Sequence, residues 1–233
     1  MLSDKLIYEL NNQPVNLINF IDIGCHQGVF MNTLQSRLNK NINSIGIDAV
    51  DHGVSNFYNV FLNIAIDNVK QPTTKKFNIY NESGCNSLLE LNKDILTQTQ
   101  SEYDTKWFVG GRDIDFNYTK QEDINVQVNS MFNVLSDLKF NDIIHFVKID
   151  TQGTDVNTFL SFESFIPKIK FLQIESVYTH NSDITLYKNQ SIFEEDDSII
   201  KSYGFEILDI LNWGENKDQC PEADIIYYNK NLV

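Results

Sequence analysis

The period of apolar and polar positions changes several times along the chain, and each change marks an element. After Ser3, a residue type suited to capping a helix, Leu6, Ile7 and Leu10 fall at helical spacing. Asn19-Phe20-Ile21-Asp22-Ile23 is a short β-rich run that stops at Gly24-Cys25-His26-Gln27-Gly28, and Phe30, Leu34 and Leu38 then repeat every four residues. This is strand, tight turn, amphipathic helix. Ser44 to Asp48 reads as a second strand and Tyr58 to Ile66 as a third. From about Lys75 to Asn129 the pattern is irregular, with strand-like alternation only at Phe77 to Tyr80 and Ile124 to Val128. Order returns with a helix through Met131, Leu135 and Leu138, followed by the almost unbroken apolar run Ile143 to Asp150. A run of that kind is covered on both faces, as in a parallel α/β sheet. A helix after Gly153, a strand from Lys170 to Glu175, a helix through Ile192, Phe193, Ile199 and Ile200, and strands at Phe205 to Leu208 and Asp224 to Tyr228 complete the chain. The last strand arrives without a crossover helix, which predicts an antiparallel pairing. No repeat or Pro-rich linker divides the 233 residues, so one domain with an irregular insertion at about 75–129 is expected.

Composition narrows the partners. Lysine and arginine total 18 against 32 acidic residues, a net charge of −14, and only Arg37 and Arg112 are arginines. Nucleic acid is excluded as the main partner, because a binder must neutralise several phosphates. The same field opposes an anionic membrane surface, and no apolar run approaches the roughly 18 residues of a membrane-spanning helix. Cys25, Cys85 and Cys220 are odd in number and widely spaced, which indicates neither a disulfide framework nor a zinc site. With no signal-peptide pattern at the start, a cytoplasmic setting is the simplest expectation.

In open α/β sheets ligands collect at the carboxyl ends of the strands. On the first strand these positions are Asp22 and the turn from Gly24 to Gly28. Two glycines there let backbone approach a ligand closely, and the following helix offers N–H groups. The turn lacks G-x-G-x-x-G, since His26 and Val29 occupy glycine positions, so a nicotinamide cofactor and an oxidoreductase fit poorly. Asp48 closes the second strand about 20 residues past the turn, where a carboxylate commonly accepts both ribose hydroxyls. Together Asp22, Gly24, Gly28 and Asp48 fit a nucleoside ligand with no pyrophosphate, such as S-adenosylmethionine.

With that turn, the sequence resembles the FkbM-type S-adenosylmethionine-dependent methyltransferases. Phe20 to Gly28 is similar to that family's Asp-x-Gly-Ala-Asn-x-Gly turn, and the likeness continues through Asn63-Ile64-Ala65-Ile66 and Cys85-Asn86-Ser87-Leu88. Its most specific segment is Val147-Lys148-Ile149-Asp150-Thr151-Gln152-Gly153-Thr154-Asp155, similar to Lys-Ile-Asp-x-Glu-Gly-x-Glu; Leu172-Gln173-Ile174-Glu175 and a strand from Asp224 follow in order. The likeness runs from about Asn19 to the C-terminus. Cys25, His26 and Gln152 depart from the alanine, asparagine and glutamate common at those positions. The resemblance implies an α/β, Rossmann-like class I methyltransferase sheet of seven strands in the order 3-2-1-4-5-7-6, the last strand antiparallel. It implies S-adenosyl-L-methionine as cofactor, placed against Asp22, Gly24, Cys25, His26, Gly28, Asp48, Ala65 and Ile66. It also implies O-methylation, commonly of a sugar, glycan or natural-product hydroxyl.

An alcohol is a weak nucleophile at neutral pH, so a base is useful. Asp150, at the end of the central strand, is the first candidate, with Lys148 two residues back on the same face; Glu175 is the second and His180 the third. Asp150 and Glu175 could instead hold the cofactor's amine or a backbone N–H. As neighbours they are expected to share a proton or to recruit a cation between them. Tyr178, Tyr187 and Trp213 are candidate stacking surfaces for a sugar ring. Glu194 to Asp197 reads as a solvated helix start, and no His/Asp cluster assigns a metal. A non-catalytic nucleoside-binding module of the same fold is the competing reading.

Overall fold

The computed structural model describes residues 1–92, 108–109, 112–113, 120–177, 185–212 and 222–232. Helix α1 (Asp4–Asn11) is capped by Ser3, whose Oγ accepts from the N–H groups of Lys5 and Leu6. Strand β1 (Leu17–Ile23), helix α2 (Val29–Arg37) and strand β2 (Asn41–Asp48) form the first β-α-β unit. Strand β3 (Val60–Asn63) pairs with β2, and after Ile64 the chain leaves the main sheet. The stretch read as one strand from Tyr58 is therefore divided: Asn59 bonds Ser44 by its side chain, Tyr58 turns its ring inward, and Ala65–Ile66 becomes β4 of a second sheet.

The region expected to be irregular carries much of that second sheet. Strand β5 (Thr73–Tyr80) is followed by a short hairpin of β6 (Phe108–Val109) and β7 (Arg112–Asp113), then by β8 (Lys120–Asn129), which runs antiparallel to β5 and parallel to β4. Helix α3 (Met131–Asp137), strand β9 (Ile144–Ile149), helix α4 (Asp155–Leu160), strand β10 (Ile169–Val177), helix α5 (Phe193–Ser202) and strands β11 (Phe205–Asn212) and β12 (Glu222–Asn229) complete the order.

The main sheet runs β3-β2-β1-β9-β10-β12-β11. Its first five members are mutually parallel, and β12 is antiparallel to both neighbours. This is the α/β seven-stranded order 3-2-1-4-5-7-6, with the last strand antiparallel, that the sequence resemblance implies. Both faces are covered: Ile21, Val147 and Leu172 meet α3, α4 and α5, whereas Phe20, Phe146 and Phe171 meet α1 and α2. Two-sided burial is why the central strands read as continuous apolar runs.

Register then determines where charge appears. Phe20, Phe146 and Phe171 are paired across β1, β9 and β10, and two residues onward Asp22, Lys148 and Gln173 are paired on the same face. Aromatic packing thus gives way to a polar row near the carboxyl ends. The acidic start of α5 is not wholly solvated, contrary to its appearance in sequence. Asp196 is buried and bonded to Ser176, because one side of that first turn lies against β10.

Candidate functional site

The turn after β1 is built on close backbone approach. Gly24 has φ +73°, and a Cβ placed on it would stand 1.7 Å from the Asp150 carbonyl oxygen. Its N–H and that of Cys25 donate to Ile47 O, while Asp150 N–H donates to Ile23 O, so β1, β2 and the end of β9 are stitched together here. Gly28, at φ +68°, faces the Phe57 ring, which a Cβ would meet at 2.5 Å. Asp48 organises the other side: one carboxylate oxygen accepts from His26 N–H at 2.7 Å and the other from Val50 N–H at 2.9 Å. Each oxygen retains a lone pair for a further donor.

Above this arrangement lies a cleft lined by Gly24, His26, Asp48, Ala65, Ile66 and Asp150, with about 660 Å³ of empty space including its open mouth. Ile64 and Phe77 give it apolar surface, and Ser83 and Asn86 wall it from the second sheet's side. The His26 ring bonds Ser83 Oγ at 2.8 Å and meets the His52 ring edge-on. Burial and the neighbouring His52 hold the His26 imidazole below its usual pKa. A second cleft opens on the α2 side, and Gly24, His26 and Asp150 line both.

Beneath the turn stands a charged row. Lys148 is buried, with Nζ donating to Gly24 O at 3.1 Å and to Asp150 Oδ2 at 3.0 Å, and 3.7 Å from Asp22 Oδ1. Burial disfavours its charge, but the carboxylates of Asp150 and Asp22 outweigh that cost and hold it protonated. Asp22 is fully buried, and Tyr58 donates its hydroxyl proton to Oδ2 at 2.7 Å. Burial pushes the Asp22 carboxyl up despite Lys148. Asp22 therefore supports the turn from below and does not line the main cleft. Cys25 is also buried, with its thiol pushed up by burial, and faces the second cleft.

Asp150 is the charge that reaches the surface, its side chain 31% exposed. Burial raises its carboxyl, but Lys148 and the Gln152 amide overcome this and hold it below the usual range. The expected proton or cation between Asp150 and Glu175 is replaced by an amide: Gln152 Nε2 donates to Asp150 Oδ1 at 2.8 Å and to Glu175 Oε2 at 3.0 Å. Glu175 is pushed well up, first by burial and then by Asp150, Glu222, Asp155 and Asp224. The turn that presents Gln152, at φ +57°, is pinned by Asp155, which accepts from Thr151 N–H and Gly153 N–H at 2.9 Å each. Burial and Asp150 push Asp155 up to about 7, and burial with Asp150 does the same to Glu222.

Of the expected site residues, Gly24, His26, Asp48, Ala65, Ile66 and Asp150 converge on the main cleft. Glu175 is joined to them through Gln152, and Gly28 starts α2 behind the turn. His180, Tyr178 and Trp213 lie outside the described residues. Tyr187 is not a stacking surface: it is fully buried, and its hydroxyl lies 2.8 Å from Gln152 Oε1 and 2.9 Å from Cys85 O. Gln152, Tyr58 and Asp155 were not evident as site-building residues. The sequence signal for Gln152 was its place in the Lys148 to Asp155 block, where glutamate is common. Among the described residues no group of three or more His, Cys, Asp or Glu side chains is arranged to hold a metal ion.

No family model matches the chain, and no curated protein matches it. Among solved structures it is similar to 1,6-didemethyltoxoflavin-N1-methyltransferase of Burkholderia thailandensis, whose structure holds 1,6-didemethyltoxoflavin and S-adenosylhomocysteine. The identity is 8% over 97% of this chain and 77% of that one, with a TM-score of 0.43. It is also similar to the small RNA methyltransferase HEN1, at 11% identity over 97% of this chain and 25% of that one, with a TM-score of 0.39.

Proposed function

We propose that the protein is an S-adenosylmethionine-dependent O-methyltransferase acting on a hydroxyl of a sugar, glycan or related small molecule. The observation that carries this reading is the convergence of the Gly24 turn, the Asp48 carboxylate and the half-buried Asp150 carboxylate on one cleft. The cofactor fits the residues present. Gly24 leaves no room for a side chain, Asp48 retains acceptor capacity for two ribose hydroxyls, and Ala65 and Ile66 offer apolar surface to a base. When bound, S-adenosylmethionine supplies an electrophilic methyl group. The chain has to orient an acceptor hydroxyl and take its proton. Asp150 suits that role because Lys148 keeps it ionised while its side chain remains accessible. Glu175 stands behind Asp150, joined to it through the Gln152 amide. Alignment is the larger contribution, up to about 7–11 kcal/mol in well-oriented systems.

The net charge of −14 favours an acceptor other than nucleic acid. Methyl-labelled S-adenosylmethionine, incubated with the protein and fractionated extract of its host, should place label in carbohydrate or small-molecule hydroxyls. Label recovered in nucleic acid would overturn the acceptor assignment. Calorimetric binding of NADH without binding of S-adenosylmethionine would overturn the cofactor assignment.

A further inference from the structure

Gln152 stands out because its side chain joins three groups around the site: both amide N–H bonds and the carbonyl oxygen are engaged. Its two N–H bonds diverge, one to Asp150 Oδ1 and one to Glu175 Oε2, and its carbonyl oxygen faces the Tyr187 hydroxyl. An amide cannot exchange its N–H protons with a carboxylate, so it separates the two acids without passing a proton between them. The two carboxyl groups fix the amide's orientation, since a flipped amide would turn its oxygen toward both of them, and the Tyr187 hydroxyl, whose single proton serves Gln152 Oε1 and Cys85 O, adds to it. The backbone also holds Gln152 in place: it lies at φ +57°, an uncommon region for a non-glycine residue, within the turn pinned by Asp155. Its backbone carbonyl additionally accepts from Ser87 Oγ at 2.6 Å.

We propose that Gln152 is a positioning residue that keeps Asp150 and Glu175 from sharing a proton, leaving Asp150 as the ionised acceptor and Glu175 as the proton-bearing group, with Tyr187 helping to hold the amide in that orientation. The role assigned to this rim rests on the proposed methyl transfer, whereas the proton distribution itself does not. The surrounding charges are arranged to match. Asp150 is paired with Lys148 on β9 and lies near Asp22 on β1, the Met1 amino group, His26 in the first turn and Asp48 at the end of β2. Glu175 faces Asp155 at the start of α4 and Glu222 and Asp224 on β12, where the Met1 amino group also bonds Asp224. A glutamate at position 152 would bring a third carboxyl to the same point and offer at most one proton to two acceptors.

The test is a pH titration of the side-chain carboxyl ¹³C shifts of Asp150 and Glu175 in the full-length protein without cofactor. In the native sequence Asp150 should titrate below the ordinary carboxylate range with no step at the Glu175 midpoint, and Glu175 should titrate above that range. In Gln152→Met the Asp150 midpoint should rise by about one pH unit or more and the Asp150 shift should acquire a second step at the Glu175 midpoint. Tyr187→Phe should move the midpoints in the same direction by less. Loss of a hydrogen bond alone would move the Asp150 midpoint without a step at the Glu175 midpoint, and a merely structural role would leave it unchanged; either result would overturn the proposal. If Gln152→Met does not fold, Gln152→Asn and Tyr187→Phe carry the test, and unmoved midpoints in both would likewise overturn it. S-adenosylhomocysteine affinity, measured separately on the native protein, reports whether the cofactor reading fails instead.

Discussion

Replacing Gly24 with alanine tests the construction of the site at its tightest point. The added Cβ would start 1.7 Å from Asp150 O, and the contact must open to at least 3.0 Å. Three backbone bonds cross that junction: Gly24 N–H and Cys25 N–H to Ile47 O, and Asp150 N–H to Ile23 O. Loss of two of them costs about 1–3 kcal/mol, and an alanine held at positive φ adds about 1–2 kcal/mol. A total of about 2–5 kcal/mol corresponds to a fall in Tm of about 4–20 °C for a chain of this length. Two controls separate the causes. Gly53, at φ +76°, has nothing within 4 Å of the place a Cβ would occupy, so Gly53→Ala carries the conformational cost alone. Gly84 has neither positive φ nor a close neighbour, so Gly84→Ala should be within about 0.5 kcal/mol of the native protein. Thermal unfolding by calorimetry reads all three. A Gly24→Ala loss no larger than that of Gly53→Ala would refute the argument that backbone contact between the first turn and β9 excludes a side chain.

Other consequences follow from the buried acids. Tyr58→Phe removes the hydroxyl that serves Asp22 Oδ2 in a fully buried setting, and should cost about 1–3 kcal/mol in denaturant unfolding. Asp196 is pushed up to about 6 by burial, so its stabilising contribution is complete below the unfolded value near 3.8 and is lost as pH rises through 6. Asp196→Asn should therefore raise stability at pH 7.5 by about 1–3 kcal/mol and leave it little changed at pH 4. Asp155 and Glu222, both near 7, act in the same direction, as does Glu175. Between pH 4 and 7 the folded state holds more protons than the unfolded chain, so stability should decline across that window by about 1.4 kcal/mol per pH unit for each retained proton, and Tm should fall with it. A Tm that climbs steadily from pH 4 to 8 would contradict these assignments.

Much of the fold was legible because two-sided burial leaves an unambiguous mark. The apolar runs at Ile21, Val147 and Leu172 announced central strands, and the Gly24 to Gly28 interruption announced the turn. The second sheet was harder to read, since β5 and β8 bury little on one face and their pairing joins residues far apart in sequence. Asp196 appeared solvated because its acidic neighbours concealed that it faces β10. At the site, residue types at strand ends located Asp48 and Asp150. Side-chain direction was beyond that reading: Asp22 turns under the sheet to Tyr58 and Lys148, and Gln152 reaches between two acids because a positive-φ turn aims it there. Such placements depend on three-dimensional neighbours rather than on spacing.

Everything proposed for the cleft depends on the Gly24 turn and Asp48 holding the nucleoside of S-adenosylmethionine. Titration of ¹⁵N-labelled protein with S-adenosylhomocysteine, followed by amide shifts and repeated on Asp48→Ala, measures that directly. Saturable binding at one site is expected, with the largest shifts at Gly24 to Gly28, Asp48 to Val50 and Ala65 to Ile66. In Asp48→Ala, affinity should fall at least about tenfold, because the carboxylate that holds the His26 and Val50 N–H groups is gone. Absence of saturable binding, or shifts confined to residues away from this cleft, would contradict the assignment of a nucleoside site here.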